Sequence, residues 1–226
     1  NGKVFPMSES DIEQKIGRAN LDRMEKLGIE FFQNEPRNEE MYTYVGVSSR
    51  GTPVWLHSEV AKSDVKITIG QAQSNHWGAG GGGKLILPGV VSDETIESNH
   101  CAFVPSPQTH YGAYAGPMRS DIDEVATMCG LDCTMNVVLD TRGRVIELMF
   151  GSHPAAHRAA IERFNQIYAY EHPGDQGTVQ RMLGHKSIKT TMATYTGAET
   201  RAAIRRYDEV VLGLRAQALS RAGVAP

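Results

Sequence analysis

Apolar residues first recur along the chain at helical spacing. Ile12, Ile16, Met24 and Leu27 follow Ser8 and Asp11, a Ser-x-x-Asp arrangement that satisfies free amides at a helix start, and Gly28 ends the run. This pattern predicts a helix over 8–27. The period then shortens. "MYTYVGVSS" (41–49) and "VKITIG" (65–70) are short β-branched or aromatic runs, and "VWLHSEVAKSD" (54–64) between them has helical character. Strand, helix, strand is the unit of a parallel α/β sheet. Farther on, "TMNVVLD" and "RVIELMF" flank "TRG" as the arms of a hairpin. "PAAHRAAIERFNQIYAY" (154–170) opens with Pro at a helix start and places Ala160, Ile161, Phe164, Ile167 and Tyr168 on one side. The predicted fold class is α/β, an open parallel or mixed sheet with flanking helices, followed by a small C-terminal α-helical segment. In that segment Ile204, Tyr207, Val211 and Leu214 share a helical face. "EHPGDQG" is the one concentrated Pro/Gly break, which sets the expected domains at 1–171 and 172–226.

One stretch belongs to neither period. "NHWGAGGGGKLILPGV" (75–90) follows "VKITIG" directly, at the carboxyl end of a strand, where open α/β sheets bind ligands. Gly78 to Lys84 reads G-x-x-x-x-G-K. Leu85, however, stands where a magnesium-binding hydroxyl is required, and Pro88 interrupts the helix a phosphate loop needs. A nucleoside triphosphatase is therefore disfavoured. Two readings stay open: a flexible surface loop, or a loop whose backbone must come close to something.

Composition adds a division. The 226 residues carry a net charge of −3, which does not mark the whole chain as a nucleic-acid binder. Residues 172–226 hold eight basic and four acidic residues, leaving fifteen and twenty-two for residues 1–171, so a body of −7 carries a tail of +4. Three cysteines, Cys101, Cys129 and Cys133, are too few and odd in number for a disulfide framework. With no membrane-length apolar run and no signal peptide, the expected location is cytoplasmic. The opening "NGKVFPMSES" lacks an initiator Met, which fits a fragment or a processed product.

"GQAQSNHWGAGGGGKLILPGVVSDETIESNH", with "SSRGTPV" upstream and "MRSDIDEVATMCGLDCTMNVVLD" downstream, resembles the N-terminal domain of the lactate racemase family across residues 1–171. The resemblance implies a nickel-pincer nucleotide cofactor, attached covalently through Lys84, with nickel ligated by His100. Gly80, Gly81, Gly82 and Gly83 would then cradle the phosphate of a pyridinium mononucleotide, which needs no magnesium hydroxyl. The implied activity is racemisation or epimerisation of a small 2-hydroxy acid by hydride transfer, which requires a base and an acid near neutral pH. The family's Thr-His-Arg-Pro stretch is matched here by "KVFPM", so Val4 stands where one of its histidines is expected. His76, two residues off register, is the candidate acid/base. Arg119 would either meet an anion or pair with its acidic neighbours. His57 and His110 read as structural or exposed. The family's second, closing domain does not follow, so the implied isomerase is expected to be incomplete.

"VQRMLGHKSIKTTMATYTGAETRAAIRRYDEVV" resembles instead the C-terminal end of phage-integrase-type tyrosine recombinases. That resemblance makes His185 a transition-state helper and Tyr195 the nucleophile on a DNA phosphate. Asp175 stands where the family has an arginine, and no charge clamp accompanies the tyrosine, so an inactive tail with weak DNA contact is expected. The alternatives are thus a DNA recombination protein or a non-catalytic fusion of two truncated genes. Cys129, Cys133, His153 and His157 also give paired zinc-type spacings, but nineteen residues separate the pairs where a finger has about twelve.

Overall fold

The computed structural model describes residues 6–75, 77–109, 112, 114–140 and 142–171. The chain divides into two compact units, Asn1–Phe164 and Asn165–Pro226. Among the described residues, the first carries all the sheets and the main core.

Two helices open it, α1 (Glu9–Ile16) and α2 (Arg18–Lys26). Ser8 caps α1 with the expected reciprocal bonds to Asp11. The single helix predicted over 8–27 is broken at Gly17, whose φ of 85° and ψ of 138° lie outside the helical region and are open to a residue without Cβ.

β1 (Tyr42–Val47) pairs antiparallel with β2 (Pro53–His57), and only then comes a short helix, α3 (Ser58–Lys62). The predicted strand, helix, strand unit over 41–70 is therefore replaced by a hairpin. Val54 and Leu56, fully buried on alternate residues, are core positions of a strand, and Gly51 at φ 88° makes the turn.

The parallel pairing lies elsewhere. β3 (Ile67–Ala72) runs parallel to β6 (Cys133–Leu139), which pairs antiparallel with β7 (Val145–Ser152), giving the order β3-β6-β7. This mixed sheet with flanking helices is the predicted class, and β6–β7 is the predicted hairpin around "TRG". Between β3 and β6 run a two-residue hairpin, β4 (Ser74–Asn75) with β5 (Gly78–Ala79), then α4 (Asp93–Phe103) and α5 (Pro117–Met128). α6 (Ala155–Glu171) follows Pro154.

The core gathers Val54 and Leu56 of β2, Ile86, Leu87 and Val91 of the glycine-loop exit, Ile96 of α4, and Met118, Ile122, Val125 and Ala126 of α5. Burying such side chains stabilises by roughly 1.5–3 kcal/mol each for the larger ones. Because Ile86 and Leu87 are spent in this core and Val90 packs against it, the segment after Lys84 is anchored there. Among the described residues no helix is long and apolar enough to cross a membrane.

Candidate cofactor-binding site

The glycine loop leaves β3 at the buried Ala72, turns through β4 and β5, and returns with the Gly80 amide donating to the Gln73 carbonyl at 2.6 Å. A 3-10 turn over Gly82–Leu85 follows, so no α-helix opens at the lysine. Gly81 (φ 82°) and Gly82 (φ 56°) occupy left-handed backbone. The close approach inferred from the sequence is visible on one side of the loop, where the approaching groups belong to the protein. A Cβ at Gly81 would stand 2.9 Å from the Gln71 carbonyl, one at Gly82 would enter the His157 ring, and one at Gly83 would stand 3.1 Å from His153 Cε1. Gly80 is less constrained, with nothing nearer than 3.4 Å.

Lys84 is half-buried. Its Nζ donates to Asn75 Oδ1 at 3.0 Å and to the Trp77 carbonyl at 3.4 Å. Burial, then the positive charge of Arg119, push its pKa down to about 8. About a tenth of the side chain is therefore free amine at pH 7 and about half at pH 8, far more than for an exposed lysine, and this is the form that attacks carbonyl or acyl carbon.

His100 lies in the last turn of α4, whose start is capped by Ser92 accepting from the Thr95 amide. Its ring meets the ring of Trp77 edge-on, centroids 5.1 Å apart. Trp77 thus touches both residues singled out by the motif, lysine through its carbonyl and histidine through its indole. The neighbouring Asn99 fixes this end of α4 by donating to the fully buried Asp121 on α5. Ser48 and Thr52 donate to the same carboxylate, so the segments "SSRGTPV", "SNH" and "MRSDIDE" converge on one residue.

Arg119 is buried and pairs with Asp123, one turn on, while its Nη1 donates to the Ala79 carbonyl at 3.4 Å. Of the two roles expected for it, pairing with an acidic neighbour is the one the geometry displays. His153 Nε2 lies 3.6 Å from the same Asp123 carboxylate, and burial lowers the pKa of its ring. His157 Nε2 lies 2.7 Å from the Gly80 carbonyl oxygen, and burial, reinforced by Arg119, holds its pKa at about 3. These groups form the underside of the loop. Sequence reasoning assigned no site role to Asp123, Asn75 or Trp77 and took His153 and His157 as half of a zinc spacing.

The zinc constellation does not assemble: among the described residues no group of three or more His, Cys, Asp or Glu could hold a metal ion. Cys129 is buried at the end of α5, and desolvation drives its thiol up to about 12, away from the thiolate a metal needs. His57 is buried and its Nδ1 accepts the Glu59 amide at 3.3 Å, a local structural role at the start of α3. Val4, His76, His110, His185 and Tyr195 lie outside the described residues.

Residues 6–112 match the family model of the lactate racemase N-terminal domain. Two curated relatives are lactate racemases. That of Thermoanaerobacterium thermosaccharolyticum is 26% identical over 141 residues, 61% of this chain and 33% of the relative. That of Lactiplantibacillus plantarum is 28% identical over 163 residues, 65% of this chain and 38% of the relative. The chain therefore spans little more than a third of these proteins. The lactate racemase apoprotein structure from T. thermosaccharolyticum superposes with a TM-score of 0.67 over 74% of this chain and 39% of that one, at 24% identity, a likeness of fold. The glycine loop, Lys84 and His100 all lie within the residues that match the lactate racemase N-terminal domain model.

Proposed function

We propose that this chain is the cofactor-holding part of a lactate-racemase-type isomerase, binding a nickel-pincer nucleotide for racemisation or epimerisation of a 2-hydroxy acid. The observation that carries this reading is the meeting of Lys84 and His100 at Trp77: the two are sixteen residues apart in sequence and joined in space through one residue, whose backbone carbonyl takes the lysine and whose indole meets the histidine.

The residues fit such a group. Lys84 offers an amine that burial has made nucleophilic near pH 8, the property a covalent attachment requires. His100 offers an imidazole, a suitable donor for nickel. A metal that arrives held in an organic pincer needs one donor from the protein, so the absence of a metal-binding cluster among the described residues does not oppose it. When bound, the group would accept a hydride from the substrate carbon and return it. The chain's own part is to attach and orient that group, with His76 as the candidate that takes and returns the hydroxyl proton. The basic tail, with His185 and Tyr195, keeps its recombinase-like reading on sequence alone.

The test is mass spectrometry of the chain after co-expression with the enzymes that build the cofactor, beside a full-length lactate racemase. A nucleotide-sized adduct on the Lys84 peptide, with nickel retained by the parent and lost in His100→Ala, is the expected result. An unmodified chain beside a loaded control would overturn the reading.

A further inference from the structure

The underside of the glycine loop holds a buried histidine that neither the motif nor the proposed chemistry uses. His157 sits near the start of α6, only 3% exposed, and its Nε2 is 2.7 Å from the carbonyl oxygen of Gly80. A carbonyl can only accept, so Nε2 carries the proton and donates. The ring also fills the place where residue 82 would carry its Cβ. One imidazole therefore does two things: it pins Gly80 through a hydrogen bond and seats Gly82 by shape. From Gly81 the chain closes directly on the lysine, because the Lys84 amide donates to the Gly81 carbonyl at 3.2 Å. A second strut reaches the loop from α5, where Arg119 donates to the Ala79 carbonyl. Asp123 holds that arginine and faces His153.

We infer that His157 is a positioning residue for Lys84: its Nε2–H, bonded to the Gly80 carbonyl, seats the loop so that the lysine amine stays half-buried against Asn75 and Trp77. The inference takes its purpose from the proposed cofactor attachment, but its content is the state of one amine and holds whether or not any cofactor is loaded. Desolvation is what makes that amine unlike an exposed lysine, and desolvation lasts only while the loop is seated. The groups that face Lys84 and remain in every variant are Arg119, Asn75 and the Trp77 carbonyl.

Two substitutions separate the hydrogen bond from the shape. His157→Phe keeps a ring beneath Gly82 and removes the donor, whereas His157→Gln keeps an N–H donor at similar reach and removes the ring. The readout is the pH profile of acetylation by acetic anhydride, followed by mass spectrometry at Lys84 and, in the same sample, at the exposed Lys62. In the full chain Lys84 is expected to label with a midpoint near pH 8. In His157→Phe that midpoint moves toward the ordinary lysine value of about 10.4, and in His157→Gln it stays near that of the parent. A folded His157→Phe chain with an unmoved midpoint overturns the inference. If that variant loses its melting transition, His157→Gln decides: a folded chain with Lys84 labelling like the parent supports the role, and one with Lys84 labelling like Lys62 ends it. Cofactor loading plays no part here, so a chain that fails to take up the nucleotide can still pass.

Discussion

Asn99 donates through Nδ2 to Asp121 Oδ2 at 2.7 Å, and neither residue is exposed to water. The bond joins α4 to α5 one residue before His100. Ser48 at 2.5 Å and Thr52 at 2.7 Å complete the shell of donors, so a buried carboxylate that would otherwise be costly is held by three side chains from two other segments.

Asp121→Ala leaves those donors without their acceptor. An unsatisfied buried polar group costs about 1–3 kcal/mol, and the hydroxyls can turn elsewhere, so a total loss of about 3 kcal/mol is expected in a urea titration. The Trp77–His100 contact should loosen with it, visible as a shift in tryptophan fluorescence. A variant within about 0.5 kcal/mol of the parent would show that the cluster is not a structural node.

Lys84 gives a pH signature opposite to that of a paired lysine. Its folded pKa, about 8, lies below the ordinary unfolded value of about 10.4. Between these values the unfolded chain binds more protons than the folded one, so stability rises with pH across that window. Below about pH 8 the cost of burying the charge is fully present. Lys84→Met is expected to raise the melting temperature at pH 7 and to lose most of that advantage by pH 10. Asn75 Oδ1 does not become an orphan, because it also accepts the Trp77 amide at 3.1 Å. Equal melting differences at both pH values would refute the assignment.

The parts of the fold that were legible in sequence are those in which one segment carries its own signal. Ser8 and Asp11 announce their cap, "TRG" its hairpin and Pro154 its helix. Two segments were misread: 8–27, where Gly17 breaks the expected helix, and 54–64, which holds two elements in eleven residues, Val54 and Leu56 alternating as a strand and Ser58–Lys62 turning once as a helix whose character masked the first half. In the site, Lys84 stood out as the lysine of the Gly-x-x-x-x-Gly-Lys pattern, and His100 because the resemblance to the lactate racemase family points to it. His153 and His157 did not, because what matters about them is the loop they touch, which lies about seventy or more residues earlier in the sequence. Their i, i+4 spacing was visible, but spacing alone fits metal ligation as well as a bond to a distant carbonyl.

Acid should unfold the chain in two stages. Burial lowers the pKa of His57 and of His153 and holds that of His157 at about 3. As pH falls below the ordinary histidine value of about 6.5, the unfolded chain takes up protons that the folded one excludes, and stability falls by up to about 1.4 kcal/mol per pH unit for each fully neutral ring. The carboxylates of Asp11, Glu124 and Asp140, whose pKa values are lowered by hydrogen bonds, lose their contribution only under about pH 4. The interval from 6.5 to 4.5 therefore belongs to the histidines. His157→Gln should flatten the melting curve in that interval and leave the lower stage in place, and an unchanged slope there would exclude His157 as a contributor.

The glycines of the loop should not be equivalent, although the sequence presents them as a uniform run. At Gly82 an alanine meets two penalties, a left-handed φ of 56° and a Cβ inside the His157 ring. The first costs about 1–2 kcal/mol and the second about 1–3 kcal/mol if the ring can move at all. At Gly80 the φ is not in the left-handed region, and an added methyl finds its nearest neighbours at 3.4 Å, an ordinary contact. Gly80→Ala is thus expected to melt within about 1 kcal/mol of the parent, while Gly82→Ala loses about 2–4 kcal/mol. If the run served only to present amides to a phosphate, both substitutions would leave the empty protein nearly untouched and would differ only after the nucleotide is bound. Parallel denaturant titrations of the two unloaded variants separate the cases: a clear gap between them shows that the loop is seated on its own protein before any ligand arrives.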